Sequence, residues 1–331
     1  MREQALRVAY VGRRFLHMLF VLWVIATILF FMFRLMPGDP STAYIDPNFT
    51  GEQRQLVLQQ FGLDRPLHEQ YVIFLRNLAR GEFGLSFRQR QPVLGLMLAV
   101  LPNTLLLTMT ALIAAYAFGS LFGAWLAWRR GSLFETISIP LVLATRASPE
   151  FWIGMLMLAV FAFGLGWFPA GGANVAGAEY SSEWQRILSI DYLRHLALPA
   201  LSLALFLQGL PVLLMRSNML EVMREEFVTM SRMKGLPERS IMLRHAARNA
   251  LLPLVTAFAI TFGQLIGGNV VIETVFSWPG LGRMLVDAVA NSDYPLAQGA
   301  FLLIAAILVA MNFVADLVYG LLDPRVTHDG G

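Results

Sequence analysis

The single lysine of this chain, Lys234, lies in a polar run, residues 225–253, with the sequence EEFVTMSRMKGLPERSIMLRHAARNALLP, set between two segments that are almost wholly apolar. The residue types suit gripping a partner more than reacting with a substrate. Val222, Phe227 and Met230 recur as apolar knobs in a helical pattern broken by charges, and Gly235 follows where the pattern stops, a residue that readily takes the left-handed conformation closing a helix. Pro237 suits the start of a further turn carrying Ile241 and Leu243 ahead of Arg244 and Arg248. The expected product is a short helix with apolar knobs and a basic rim, in a loop far longer than the roughly 2 to 8 residues that usually join packed helices.

Other chemistries find no constellation. Lys234 is followed by Gly235 and not by Ser or Thr, so the chain has no G-x-x-x-x-G-K-[ST] phosphate loop. His17, His68, His195, His245 and His328 are scattered without metal-ligand spacing, and neither G-x-S-x-G nor H-E-x-x-H occurs. Cysteine is absent, which removes thiolate nucleophiles, cysteine metal sites and disulfides. The expectation is a protein with no catalytic residues, no metal and no cofactor of its own.

The elements that must hold the loop are membrane helices. Of 331 residues 56% are hydrophobic and 14% charged, against roughly a quarter charged in soluble domains. The net charge of +3 is read as arginines orienting membrane segments, not as a nucleic-acid surface. Spanning lipid takes about 20 apolar residues in a helix, and six stretches approach that length: residues 15–36, 92–128, 136–168, 196–215, 250–272 and 295–322. In the second, Pro102 and Asn103 predict a bend or an interfacial start, with the crossing proper beginning near Leu105; in the third, Arg146 to Glu150 interrupts an otherwise apolar helix. The acids within or beside spans, Glu150, Glu273 and Asp316, read as lying toward the span ends, which argues against an ion-coupled carrier. The energy source is then expected outside this polypeptide.

With the N-terminus inside, the inner segments carry fourteen Lys and Arg and the outer ones nine over a greater length, six of them in the first outer loop, so both termini are expected on the cytoplasmic side. That outer loop has helix signals: Thr50 with Gln53 as a capping box, Pro66 ahead of Tyr71, Phe74, Leu75 and Leu78, then Gly81 and Gly84 as a stop. The linear division expected is residues 1–36 for the tail and first helix, 37–92 for a small helical outer insertion, 93–323 for a five-helix core including the polar loop 217–250, and 324–331 for a tail.

The run Phe227-Val228-Thr229-Met230-Ser231-Arg232-Met233-Lys234-Gly235-Leu236-Pro237, continued by Arg244-His245-Ala246-Ala247-Arg248-Asn249, resembles the ATPase-coupling loop of the dipeptide, oligopeptide and nickel permeases of ATP-binding-cassette importers. The likeness extends in order along nearly the whole chain: Arg34 to Pro40, Phe61 to Asp64, Gly81 to Gly84, Phe276 to Gly282 and Asp323 to Arg325. Where many such permeases open the loop with Glu-Ala-Ala, this chain has Thr229, Met230 and Ser231. The resemblance implies an all-α polytopic fold of six transmembrane helices in the type I importer arrangement, in a bacterial inner membrane. It implies a path for peptides handed over by an extracytoplasmic binding protein, a second related permease forming a heterodimer, and two ATPase subunits that hold the ATP and Mg. Phe227, Thr229, Ser231, Arg232, Lys234, Gly235, Leu236, Pro237, His245 and Asn249 are the expected coupling residues.

Polar and small residues inside the spans are candidates for the path: Gln208, Thr261, Gln264 and Asn269. Trp278, Pro279 and Gly280 are candidates for an outer gate loop, an interfacial anchor being the other reading of the tryptophan. Gly119-x-x-x-Gly123 and Gly263-x-x-x-Gly267 are read as close helix contacts. Nickel chelates, glutathione or oligosaccharides are alternative cargoes of the same architecture, and a self-sufficient secondary carrier is the alternative from a different class.

Overall fold

Apolar helices dominate the computed structural model, which describes the backbone of residues 2–34, 65–265 and 269–322 and, within these, the side chains of residues 11–34, 65–265 and 269–314. Among the described residues no strand forms beyond an isolated bridge between Leu85 and Pro92. Val11–Arg34, Val93–Trp128, Ile190–Leu207 and Tyr294–Val314 are each long and apolar enough to cross a bilayer. Two bent pairs, Leu133–Ala147 with Glu150–Gly164 at 105° and Glu238–Ala250 with Leu252–Leu265 at 50°, complete six crossings. The all-α, six-span expectation holds.

Three details depart from the sequence reading. The stretch 92–128 is helical throughout, Val93–Trp128 with Pro102 inside it, so the helix begins well before Leu105. A proline costs the helix a single donor, and here the following turns are buried through Asn103, Thr104, Leu107 and Ala111. The third stretch is two helices: Pro149 lacks the donor to continue and drives Ser148 into extended backbone (φ −74°, ψ 143°), so the chain turns sharply there. Glu150 consequently stands at the middle of its bent pair and not toward an end. The capping box at Thr50 and Gln53, Gly267, Gly268 and the side chain of Asp316 lie outside the described residues.

By packing the chain forms two compact units, which the linear segments do not follow. The first comprises the described residues of Met1–Pro102 and Gly280–Gly331. Its core joins Ala26, Leu29 and Phe33 with Val93, Met97, Leu285, Leu296 and Ala300. Pro66 precedes helix Leu67–Ala79, which lays Tyr71 and Phe74 against the buried Phe30 ring, with centroids 5.3 Å apart in both pairs. Gly81, at φ +74°, ends that helix as read from sequence: Glu82 N donates to Asn77 O at 2.9 Å and Gly81 N to Leu78 O at 3.0 Å. Buried Asp293 ties the segment after it to the last helix, accepting from Ser86 Oγ at 2.5 Å and Phe87 N at 3.1 Å.

The second unit is Asn103–Pro279. Its main core gathers Leu107, Leu112, Tyr192, Leu203, Ile272, Phe276 and Trp278. Gly119 and Gly123 do permit close approach: a Cβ at position 123 would stand 2.4 Å from Val212 O and 2.9 Å from Met215 Cβ. Two helical stretches are wound wider than α. Around Leu158–Gly164, Leu165 N reaches back to Val160 O, and after Ile241–Ala246, Ala247 N reaches back to Met242 O, each a span of five residues.

Candidate functional site

The polar loop folds as its residue pattern dictates, with one exchange of faces. Helix Glu226–Met233 buries Val228 completely and Ser231 nearly so, three residues apart on one face, while Phe227, Met230 and Met233 point outward. Met233, 82% exposed, was not singled out by the sequence pattern. Ser231 is turned inward and donates from Oγ to Phe227 O at 2.8 Å, so it shapes the helix instead of offering a contact. Arg232, Lys234, Thr229, Leu236 and Pro237 are exposed beside the apolar knobs, Asn249 is exposed and His245 half-buried.

Gly235 ends this helix at φ +73°. Leu236 N donates to Ser231 O at 3.3 Å and Gly235 N to Arg232 O at 2.9 Å, the paired bonds that satisfy the last carbonyls of a helix. No heavy atom lies within 4 Å of where a Cβ would stand, so glycine is demanded by backbone conformation and not by crowding. The following turn begins after Pro237 and is clasped by Arg232 Nε to Glu238 Oε1 at 3.1 Å.

Beneath the loop is a dedicated core. Val228, Ile241, Ala246, Ala247 and Ala250 pack with Ala124, Ala127, Met215 and Met219, all buried. The exposed knobs are therefore carried on a platform that is packed onto helices Val93–Trp128 and Gly209–Val222. Asn218 Nδ2 fastens its far end at Ala250 O, 3.2 Å away, and Arg216 binds the buried Glu135 of the neighbouring helix.

The candidate path residues fall in separate places within this unit. Gln208 is 5% exposed; its Nε2 donates to Thr145 Oγ1 at 2.9 Å and its Oε1 is buried with no partner among the described residues. Asn269 is buried and caps helix Val270–Val275 by accepting from Ile272 N at 2.9 Å, and its side chain also bonds Glu150. Thr261 shares a 2.8 Å hydrogen bond with Tyr116 OH, and Gln264 is exposed. Arg146 and Glu150, which bound the interruption read from the sequence, and Thr145 just before it thus join Gln208 and Asn269 around the break in the bent pair. Two opposite charges four residues apart within apolar sequence were the available signal.

Trp278 is wholly buried: its indole N–H donates to Asn103 O at 3.1 Å and its ring centroid lies 5.4 Å from that of Tyr192. Asn103 also donates from Nδ2 to Pro279 O at 2.8 Å and accepts at Oδ1 from Arg186 Nη2 at 3.0 Å and Tyr192 OH at 3.1 Å. Tryptophan and proline of the proposed outer loop are pinned by one side chain; Gly280 is buried in the other unit. Among the described residues no three His, Asp or Glu are placed to hold a metal ion.

Comparison with known proteins gives a consistent picture. Residues 119–328 match the family model described as binding-protein-dependent transport system inner membrane component, and residues 7–108 match the N-terminal model of the same systems. The chain is 36% identical to the di/tripeptide transport system permease protein DppB of Pseudomonas aeruginosa, covering 97% of this chain and 99% of that protein. It is 35% identical to the oligopeptide transport system permease protein AppB of Bacillus subtilis, over 97% and 99%, and 34% identical to the glutathione transport system permease protein GsiC of Escherichia coli strain K12, over 96% and 99%. The inward-facing MetNI methionine ABC transporter aligns over 69% of this chain and 96% of its own with a TM-score of 0.51 at 17% identity, a likeness of fold.

Proposed function

This chain belongs to the binding-protein-dependent transport system inner membrane components, and we propose that within that family it is the peptide permease subunit of an ATP-driven importer. It is a multi-pass inner-membrane protein and a transport component. Its relatives carry di- and tripeptides, oligopeptides and glutathione in their names. Glutathione is itself a tripeptide, so these cargoes form one chemical class, and nothing favours one member over another.

The observation that carries the reading is the exposure of Phe227, Met230 and Met233 above a platform packed on helices Val93–Trp128 and Gly209–Val222. Apolar knobs held on a rigid support, with Arg232 and Lys234 beside them, suit insertion into a groove on a partner that moves. The partners are two ATPases, which bind ATP and Mg, a second related permease completing the channel, and an extracytoplasmic binding protein. Both termini and the polar loop face the cytoplasm. ATP binding and hydrolysis bias the permease pair between inward-open and outward-open states by favouring them unequally, and the loop is the mechanical link. Gln208, Thr261, Gln264 and Asn269 stand on the path side, and Trp278, Pro279 and Gly280 belong to the outer loop.

The test is gentle purification of the chain from its native membrane, identification of what accompanies it, and an ATP hydrolysis assay. Recovery of an ATPase and a second permease, with peptide-dependent turnover lost when Met230 and Met233 are both replaced by Asp, supports the reading. A chain that purifies alone and ignores nucleotide sinks it.

A further inference from the structure

The break in the bent pair carries two charges, an exposed Arg146 and a half-buried Glu150 that Asn269 bonds, neither with an ion-pair partner among the described residues. Arg146 lies in the last turn of Leu133–Ala147 and Glu150 in the first turn of Glu150–Met157, so each sits where its own half-helix dipole favours its sign. That arrangement lets both remain charged without pairing to each other. Arg146 binds no carboxylate among the described residues, and its aliphatic stem is packed on Gly209, where a Cβ would stand 3.0 Å from both its Cβ and its Cδ. Glu150 keeps one oxygen, Oε1, buried and without a partner, and so does the amide of Gln208, itself anchored to Thr145 at the other lip of the break.

Charges at the centre of a crossing are costly, about 2.5 to 3.5 kcal/mol each on insertion scales, and are kept where they face a water-filled cavity or a bound group. Broken helices at mid-membrane mark cargo sites in transporters for the same reason. Here the unmet demands are specific: a guanidinium fork that accommodates a carboxylate, and two acceptors, a carboxylate oxygen and an amide oxygen, that call for N–H donors. We propose that this break contacts the cargo in transit, with Arg146 receiving the carboxylate end of a peptide and Glu150 with Gln208 receiving its ammonium or amide N–H groups. Every unmodified peptide carries these groups whatever its side chains, so the contact is indifferent to sequence. The inference rests on the peptide reading above.

The experiment uses the assembled transporter, with its ATPases, second permease and binding protein, in proteoliposomes, and an equimolar mixture of di-, tri- and pentaalanine as cargo. Arg146→Gln and Glu150→Gln should each lower the peptide moved per ATP hydrolysed by about tenfold, the loss expected of one hydrogen bond to a charged group, while Arg146→Lys, which keeps the charge but not the fork, falls between Arg146→Gln and the unchanged protein. Unchanged ratios in both Gln variants overturn the proposal. So does loss of the second permease from the purified Arg146→Gln complex, which would make Arg146 an interface residue. Because the chain has no cysteine, Ser148→Cys gives this subunit a sole thiol beside the break. Peptide present during turnover should slow its modification by a methanethiosulfonate reagent several-fold, and Arg146→Gln should abolish the protection; equal rates with and without peptide overturn the assignment. A wild-type complex that hydrolyses ATP but moves none of the three peptides overturns the peptide reading and this site with it. Peptide transport indifferent to Arg146 and Glu150 removes the site alone.

Discussion

Arg216 holds Glu135 through two donors on one oxygen, Nε at 2.8 Å and Nη2 at 2.6 Å from Oε1, while the other carboxylate oxygen accepts from Gly131 N at 2.6 Å. The Glu135 side chain is 8% exposed and that of Arg216 26%, so this clamp between the first turn of one half-helix and the segment leading into the polar loop is largely shielded from solvent. Removing one partner leaves a buried charge unmet. Arg216→Leu should therefore destabilise the protein by about 2 to 4 kcal/mol, and Arg216→Leu with Glu135→Leu should recover much of the loss. Thermal unfolding of the four proteins of this cycle in detergent measures both; equal destabilisation by the single and double variants would refute the clamp.

Gly235 separates conformation from crowding. Asn tolerates the left-handed region and should preserve peptide-dependent ATP hydrolysis, whereas Val should reduce it at least tenfold by unwinding the end of helix Glu226–Met233. Insertion and subunit recovery should be normal for both, since the Cβ meets open space. Full turnover by Gly235→Val would show that the helix end has no part in coupling.

Gly123 and Gly95 lie on the same helix and should respond oppositely to alanine. At 123 the new methyl collides with Val212 O and Met215 Cβ, at a cost of about 1 to 3 kcal/mol. At 95 nothing lies within 4 Å, and alanine should be neutral or stabilising by up to about 1 kcal/mol. Unfolding midpoints for the pair decide it, and similar shifts at both positions would contradict the close approach.

Asn103 serves three partners with one side chain, so its replacement should exceed that of any one partner. Asn103→Leu leaves the Tyr192 hydroxyl, an Arg186 N–H and the Pro279 carbonyl without their bonds and should cost about 2 to 4 kcal/mol, against about 1 kcal/mol for Tyr192→Phe. Equal thermal shifts for the two variants would remove Asn103 from its central position.

Six crossings, the stop of helix Leu67–Ala79 at Gly81 and the polar loop's glycine cap were legible because each rests on local chemistry: apolar length, or a backbone conformation only glycine adopts without strain. The facing of helix Glu226–Met233 was not. Phe227 and Val228 are adjacent apolar residues, and which of them turns inward depends on Ala124, Met215 and Ile241, brought there by distant segments. Trp278 likewise reads from sequence as a gate or an interfacial anchor, yet its N–H finds Asn103, 175 residues away. The break at Ser148–Pro149 was visible as an interruption, but its 105° angle, and with it the central position of Glu150, required the packing of Glu150–Met157 against the following helices.

Leu158–Gly164 and Ile241–Ala246 each hold one residue more than an α-helical turn requires. Deleting a residue from an α-helix rotates everything beyond the cut by about 100°, carrying lipid-facing groups into the core. Deleting one from either wide turn instead relaxes it to α geometry and leaves the downstream facing as it was. The chain therefore has two positions at which a codon can be lost without scrambling the helix that contains it, and one of them lies within the polar loop.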